Sequence, residues 1–218
     1  MWPGGQNRIN NMHLYEKFIL PRLLDCACGL SVINEHRAEI TQQASGLTLE
    51  LGIGSGLNHQ FYEQNKLISI VGIDPSDQLL RIAKIRSEKS NVSTQLYRAV
   101  GEKLPFQNNT FDSVVVTFAF CSIPNPLGAL KEIKRVCKPT GQLLFCEHGL
   151  AKSSQVQKWQ HRIEPIWKEV AGGCHLTRDI GALIKDAGFS VKKMENTYVR
   201  AAPKFVGFLY KGAASPNI

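Results

Sequence analysis

Leu49-Glu50-Leu51-Gly52-Ile53-Gly54-Ser55-Gly56 is a hydrophobic run that breaks into glycines, and a second apolar run further along ends at Asp74. Together they spell a strand, a glycine-rich turn, a helix, and a strand closed by a carboxylate. Parallel α/β sheets build nucleoside pockets in this way. Glycine lets the backbone approach a ligand where a Cβ would collide. The Asp74 carboxylate can accept hydrogen bonds from two ribose hydroxyls.

Two kinds of nucleoside compete for such a turn. A nicotinamide site wants G-x-G-x-x-G, with the pyrophosphate on a helix N-terminus. Here the third glycine comes one residue early, and Leu57 fills the place that a dinucleotide site gives to glycine. Glu50 sits two residues before the first glycine, where its charge repels a pyrophosphate and suits a cationic ligand. S-adenosylmethionine fits that demand, having a sulfonium, an ammonium and a ribose but no phosphate.

The same residues resemble motif I of class I S-adenosylmethionine-dependent methyltransferases. Gly72-Ile73-Asp74-Pro75-Ser76 is similar to the family's second motif. Gly101-Glu102-Lys103-Leu104-Pro105-Phe106, followed by Phe111-Asp112-Ser113-Val114-Val115, resembles its adenine-side loop and fourth strand. The likeness runs in the family's order from about Leu47 to Gly149. One position departs from the pattern: Val100 stands where the family often has an acidic residue for the adenine amino group. Backbone near Gly101, or Glu102, is left to take that role.

Outside this core, three stretches resemble a subgroup of the methyltransferase type 11 group that includes the animal thiol S-methyltransferases. They are Tyr15-Glu16-Lys17-Phe18-Ile19-Leu20-Pro21, Ile163-Glu164-Pro165-Ile166-Trp167, and Gly172-Gly173-Cys174-His175-Leu176-Thr177-Arg178. The resemblance implies S-adenosyl-L-methionine as cofactor and a Rossmann-like methyltransferase fold. It implies cofactor contacts from Glu50, Gly52, Gly54, Gly56, Asn58, Asp74, Pro75, Gly101, Glu102 and Thr117. The acceptor it implies is a thiol or another small lipophilic nucleophile, with a phospholipid head-group amine as the alternative. A nicotinamide oxidoreductase and a non-catalytic nucleotide sensor are the rivals from other classes.

With 218 residues the chain suits one α/β domain with a full core. No apolar run approaches the ~20 residues of a membrane span, and no charged start followed by an apolar stretch reads as a leader. Six cysteines show neither C-x-x-C nor a paired zinc spacing, so no metal is expected. Cys121, Cys137 and Cys146 read as small buried hydrophobes, and a reducing cytoplasm is the expected setting. The net charge of +8 is scattered, with modest clusters over 131–138 and 192–204 and no interleaved aromatics. No nucleic-acid partner and at most peripheral membrane contact are therefore expected, while the resemblance implies a small-molecule acceptor and a monomer is expected.

The chain divides into a disordered N-terminus (1–12), an N-terminal helical cap (13–46), a methyltransferase domain (47–211) and a tail (212–218). Met12 is a candidate natural start. One or two amphipathic helices are expected over 13–29, interrupted near Pro21. The core alternates strands at 47–51, 67–73, 92–98, 112–120 and 142–147 with helices at 58–64, 76–89 and 127–138. That alternation predicts a doubly wound, mostly parallel sheet with helices on both faces. A helical insertion at 150–176 breaks the rhythm, and Trp159 and Trp167, at near-helical spacing within it, read as core. A helix at 177–187 follows, capped by Thr177. Two last runs, 189–199 and 204–210, bring the sheet to seven strands and resemble the family's antiparallel end.

Ligands of open parallel sheets bind beyond the carboxyl ends of the strands. Motif I, Asp74, Gly101, Glu102, residues 117–122 and residues 147–149 should all lie there. Methyl transfer from a sulfonium is an in-line displacement with a neutral leaving group, so alignment and exclusion of water dominate. A thiol needs least help because its pKa is about 8.5 and the thiolate attacks. His148 is the candidate base, and Cys174 and His175 are candidate residues of the acceptor pocket.

Overall fold

A computed structural model describes residues 29–200 and 202–217. The expectations for 1–12, and all but the last residue of the helices expected over 13–29, lie outside the described residues. Seven strands form one sheet: β1 (Gly46–Leu51), β2 (Leu67–Asp74), β3 (Thr94–Arg98), β4 (Phe111–Thr117), β5 (Cys137–His148), β6 (Phe189–Tyr198) and β7 (Phe208–Pro216). Their order is β3-β2-β1-β4-β5-β7-β6. The pairs β1–β2, β1–β4, β2–β3 and β4–β5 are parallel, and β7 runs antiparallel between β5 and β6. This is the doubly wound sheet with an antiparallel last strand that the alternation and the resemblance led us to expect.

The chain winds outward from β1 to β3, then returns to β4 on the other side of β1. Ligands bind at such a reversal because the loops above it diverge and leave a crevice. The central strands can be buried there because helices cover both faces. Val114, Val115 and Val116 of β4 are all 0% exposed, as a run of consecutive apolar residues requires. One face packs Leu49, Leu51 and Phe145 against Leu130 and Ile133 of α3 (Pro126–Val136) and Ile180 and Ile184 of α5 (Ile180–Asp186). The other packs Ile70, Val115 and Leu144 against Ile40 of α1 (Ser31–Thr41). Each such side chain contributes roughly 1.5–3 kcal/mol by leaving water.

Several local expectations are corrected. In place of a helix over 58–64 there are two short 3-10 turns, Leu57–Phe61 and Gln64–Lys66. Asn, His and Phe are weak helix formers, and the His59 ring Nδ1 lies 3.1 Å from the Gly56 carbonyl oxygen that a helix would use. α2 (Asp77–Ser87) is capped by the Ser76 hydroxyl, which accepts from Leu79 N. α3 stops at Val136, and the Pro139-Thr140-Gly141 stretch lies inside β5. A register shift between Phe111 and Ser113 of β4 absorbs it, since proline enters strands at bulges. α5 starts three residues later than expected because Asp179, not Thr177, accepts from Ala182 N.

The expected tail at 212–218 is also corrected, because β7 continues to Pro216. Gly212, Ala213 and Ala214 have weak strand propensity, but they pair with Phe145, Leu144 and Leu143 across a buried ladder and context overrides propensity. Of the expected cap, the described part contains α1. Between β5 and α5 runs α4 (Ser154–Val170). Among the described residues, no helix is long and apolar enough to cross a membrane.

Candidate active site

A cleft of about 760 Å³ opens above the carboxyl ends of β1, β2, β4 and β5. Its floor is the glycine turn. The N–H groups of Gly52 and Ile53 both donate to the Ile73 carbonyl oxygen, at 2.9 and 3.0 Å, which ties the turn to the end of β2. Gly52 and Gly54 take left-handed φ values of 71° and 55°. A Cβ on Gly52 would meet Ala119 Cβ at 2.5 Å, whereas one on Gly54 would meet nothing nearer than 4.0 Å. Gly52 therefore permits close packing against the β4 loop, and Gly54 keeps the cleft wall open.

Asp74 ends β2 on the rim of this turn. Its Oδ2 accepts from Gly54 N at 3.0 Å and its Oδ1 from Ser76 N at 2.8 Å. Two backbone amides thus fix the carboxylate in one orientation, with lone pairs left for further donors. Burial raises its pKa and those two hydrogen bonds oppose the rise.

Behind the turn lies a buried polar layer. Glu50 Oε1 accepts from Asn58 Nδ2 at 2.9 Å and Oε2 from the Tyr62 hydroxyl at 2.8 Å. Asn58 Nδ2 also donates to Thr117 Oγ1 at 2.9 Å. Arg37 Nη1, from α1, donates to Asn58 Oδ1 at 3.0 Å and to Thr117 Oγ1 at 2.7 Å. Burial pushes the Glu50 carboxyl up to about 7, against the Tyr62 and Asn58 hydrogen bonds and the Arg37 charge. Arg37 and Thr117 line the cleft; Glu50 and Asn58 do not.

The far end of the cleft is sulfur-rich. Cys121, His148 and Cys174 line it together, with Trp167 and Phe118 beside them. Cys174 Sγ lies 3.3 Å from His148 Nε2 and accepts from Trp167 Nε1 at 3.2 Å. The Gly172-Gly173 turn, with φ of 62° and 79°, ends α4 and aims Cys174 inward. Phe118 has φ of 54°, a conformation costly for a bulky residue and common at functional sites. Its ring lies under the Arg37 guanidinium at 4.8 Å and beside the His148 ring at 6.2 Å. A hydrogen bond from Cys174 holds the Cys121 thiol well below its ordinary range, outweighing burial. Burial disfavours an imidazolium at His148, but the neighbouring Cys121 sulfur and the Glu147 carboxylate together outweigh this and raise its pKa. Burial pushes Glu147 up to about 8; its Oε1 accepts from Ala119 N at 2.7 Å.

Of the expected cofactor residues, the cleft brings together Gly52, Gly54, Asp74, Pro75, Gly101, Glu102 and Thr117. Glu102 Oε1 accepts from Asn125 N at 3.1 Å. The acceptor candidates His148 and Cys174 also line it. Four expected residues do not. Glu50 and Asn58 sit one layer behind, tied to each other. A Cβ on Gly56 would meet His59 Nδ1 at 2.8 Å and Ala83 Cα at 3.1 Å, so this glycine serves packing. His175 turns away, its Nδ1 2.9 Å from Glu164 Oε1. Trp167 is partly buried against Cys121, Ala171 and Cys174 and also lines the cleft. Trp159 is 57% exposed, with the Arg162 guanidinium 5.9 Å from its ring. Sequence reasoning placed residues 117–122 at the cleft but missed Arg37, the left-handed backbone of Phe118 and the role of Cys121. Arg37 and Cys121 carry no motif, and a positive φ at Phe118 leaves no mark on the sequence.

The family model for the methyltransferase domain matches residues 49–145. Thiol S-methyltransferase TMT1B of Rattus norvegicus is 35% identical over 149 residues, which is 67% of this chain and 61% of that protein. The Homo sapiens TMT1B protein is 31% identical over 169 residues, 73% of this chain and 69% of that one. The chain thus spans under two thirds of the rat relative's length. A solved SAM-dependent methyltransferase structure from Methanosarcina mazei superposes with a TM-score of 0.62 at 20% identity, covering 87% of this chain and 98% of that one. At that identity the likeness speaks for the fold alone.

Proposed function

Since the chain belongs to the class I S-adenosylmethionine-dependent methyltransferases, we propose that it transfers a methyl group from S-adenosylmethionine to a small-molecule thiol. The observation that carries the donor assignment is Asp74: a carboxylate locked by two backbone amides on the rim of a glycine-floored cleft. In this reading Asp74 takes the ribose hydroxyls, and Gly52 and Gly54 border the methionine part. Gly101 and Glu102 flank the adenine. Arg37, a cation on the cleft wall, suits the methionine carboxylate. The cleft volume lies within the range of sites for small ligands and leaves room beside the donor for an acceptor.

The acceptor assignment is supported by likeness to the TMT1B proteins and by the character of the far end, where Trp167, Phe118, Ile123 and Val170 make an apolar wall. A thiol needs alignment and loss of a proton. His148 is the imidazole on that wall, placed to receive it. Displacement then leaves a neutral thioether and requires no oxyanion stabilisation. A reducing compartment belongs to this reading, supported by Cys121, Cys137, Cys146 and Cys174, all free and buried.

The test is a panel of small thiols, amines and phenols, read by release of S-adenosylhomocysteine. Turnover should appear with thiols. Cofactor binding with no turnover on any thiol would discard the acceptor assignment and favour an amine acceptor or a sensor.

A further inference from the structure

Cys121, His148 and Cys174 come from three separate places: the loop after β4, the end of β5, and the turn after α4. Their Sγ and ring-nitrogen atoms all lie within 4.8 Å of one another, and all three side chains face the cleft. The two thiol-bearing segments are joined by a hydrogen bond from His175 N to Cys121 O at 2.9 Å. A tetrahedral zinc site of two sulfurs and one nitrogen, with bonds of about 2.3 Å to sulfur and 2.0–2.1 Å to nitrogen, places its donor atoms roughly 3.5–3.8 Å apart. The 3.3 Å from Cys174 Sγ to His148 Nε2 lies within a few tenths of an ångström of that separation. Two thiols and an imidazole select zinc over calcium or magnesium, which demand oxygen. Trp167 Nε1–H, donating to Cys174 Sγ, is the kind of outer partner that holds a ligating sulfur in place.

We propose that Cys121, His148 and Cys174 bind one zinc ion whose fourth coordination position opens into the cleft and receives the acceptor thiolate. Three protein ligands with one open position is the pattern of a catalytic rather than a structural zinc. The metal site stands on this geometry alone, while the fourth-position assignment rests on the thiol-acceptor reading above. An incoming thiol releases its proton to solvent and binds as thiolate. The acceptor sulfur then forms its bond to the methyl carbon while the donor's S–CH3 bond breaks. That electron pair stays on the donor sulfur, giving S-adenosylhomocysteine. In the loaded protein the metal takes over activation of the thiol from the imidazole.

The three ligands are too far apart in sequence to form a zinc spacing, which is why the sequence led to the expectation of no metal.

The full-length, reduced protein should take up about one equivalent of zinc or cobalt. The cobalt form should show a tetrahedral visible spectrum and a thiolate-to-cobalt charge-transfer band. Cys121→Ser and Cys174→Ser should each weaken cobalt binding by at least about tenfold while keeping a native circular dichroism spectrum. His148→Gln provides a third arm if either serine variant misfolds. The Cys26→Ser/Cys28→Ser double variant should keep the band. The metal site is overturned if the reduced protein binds neither metal, if the band survives all three ligand substitutions, or if thiol titration finds a Cys121–Cys174 disulfide that excludes metal. Added small thiols, but not amines, should shift the charge-transfer band. A cobalt site that ignores thiols overturns the fourth-position assignment and leaves the metal site standing. Thiol turnover by metal-free protein keeps the acceptor reading and overturns the metal's part in it.

Discussion

Gly52 and Gly54 share a left-handed backbone yet differ in what a methyl group would meet. On Gly52 it would strike Ala119 Cβ at 2.5 Å; beside Gly54 there is only space. Alanine at either position costs roughly 1–2 kcal/mol of backbone strain. At Gly52 overpacking adds about 1–3 kcal/mol more. Gly52→Ala should therefore melt markedly lower than wild type, while Gly54→Ala should stay folded and lose at least about tenfold in S-adenosylmethionine affinity, ~1.4 kcal/mol. Thermal melts and calorimetry on the pair check this. The glycines and Asp74 were legible in the sequence because a turn and a strand end are local features. The place of Glu50 was not. Its charge suggested direct contact with a cationic ligand, but Asn58 and Tyr62 take its oxygens from positions eight and twelve residues away.

At the scale of elements, Gln160 ties α4 to the segments that follow β5 and precede β7. Gln160, 1% exposed, donates from Nε2 to Gly149 O at 2.9 Å and Phe205 O at 3.1 Å, and accepts from Ala151 N at 2.9 Å. Gln160→Ala leaves the buried Ala151 amide and Gly149 carbonyl unpaired, at about 1–3 kcal/mol each. Partial rehydration should bring the net loss to ~3 kcal/mol in a urea melt. Because Gly149 follows His148 and α4 carries Trp167, the acceptor KM should rise more than kcat falls. Equal stability, or an unchanged KM, would contradict this role for the helix. Most strands and helices could be read from the alternation of apolar runs and polar breaks. The misread ones have different causes. At 58–64 weak helix formers and the His59 contact with Gly56 O break the helix, at 177–179 the cap falls on Asp179 rather than Thr177, and at 212–216 pairing with the distant β5 extends the strand, which has no local signature.

For the whole molecule, the alternating order of strands and helices foretold the reversal at β1 and β4, and so the position of the cleft. It could not foretell that Cys121, His148 and Cys174 meet there, because their approach depends on how α4 closes over the sheet. Stability couples to the buried polar layer. The Glu50 carboxyl, at about 7 in the fold against an ordinary 4.5, is held more tightly protonated folded than unfolded. Its contribution is therefore complete below about pH 4.5 and lost as pH rises through 7, by up to about 3 kcal/mol. Glu50→Gln should remove that part of the pH dependence, and parallel stability curves for the two proteins between pH 4.5 and 7 would contradict the assignment. The central claim is that this cleft is built for a sulfonium nucleoside. Titration calorimetry of the full-length protein tests it most directly. The account predicts saturable binding of S-adenosylmethionine and S-adenosylhomocysteine, weakened at least about tenfold in Asp74→Ala, and no heat with NADH; binding of NADH without either sulfur nucleoside would contradict it.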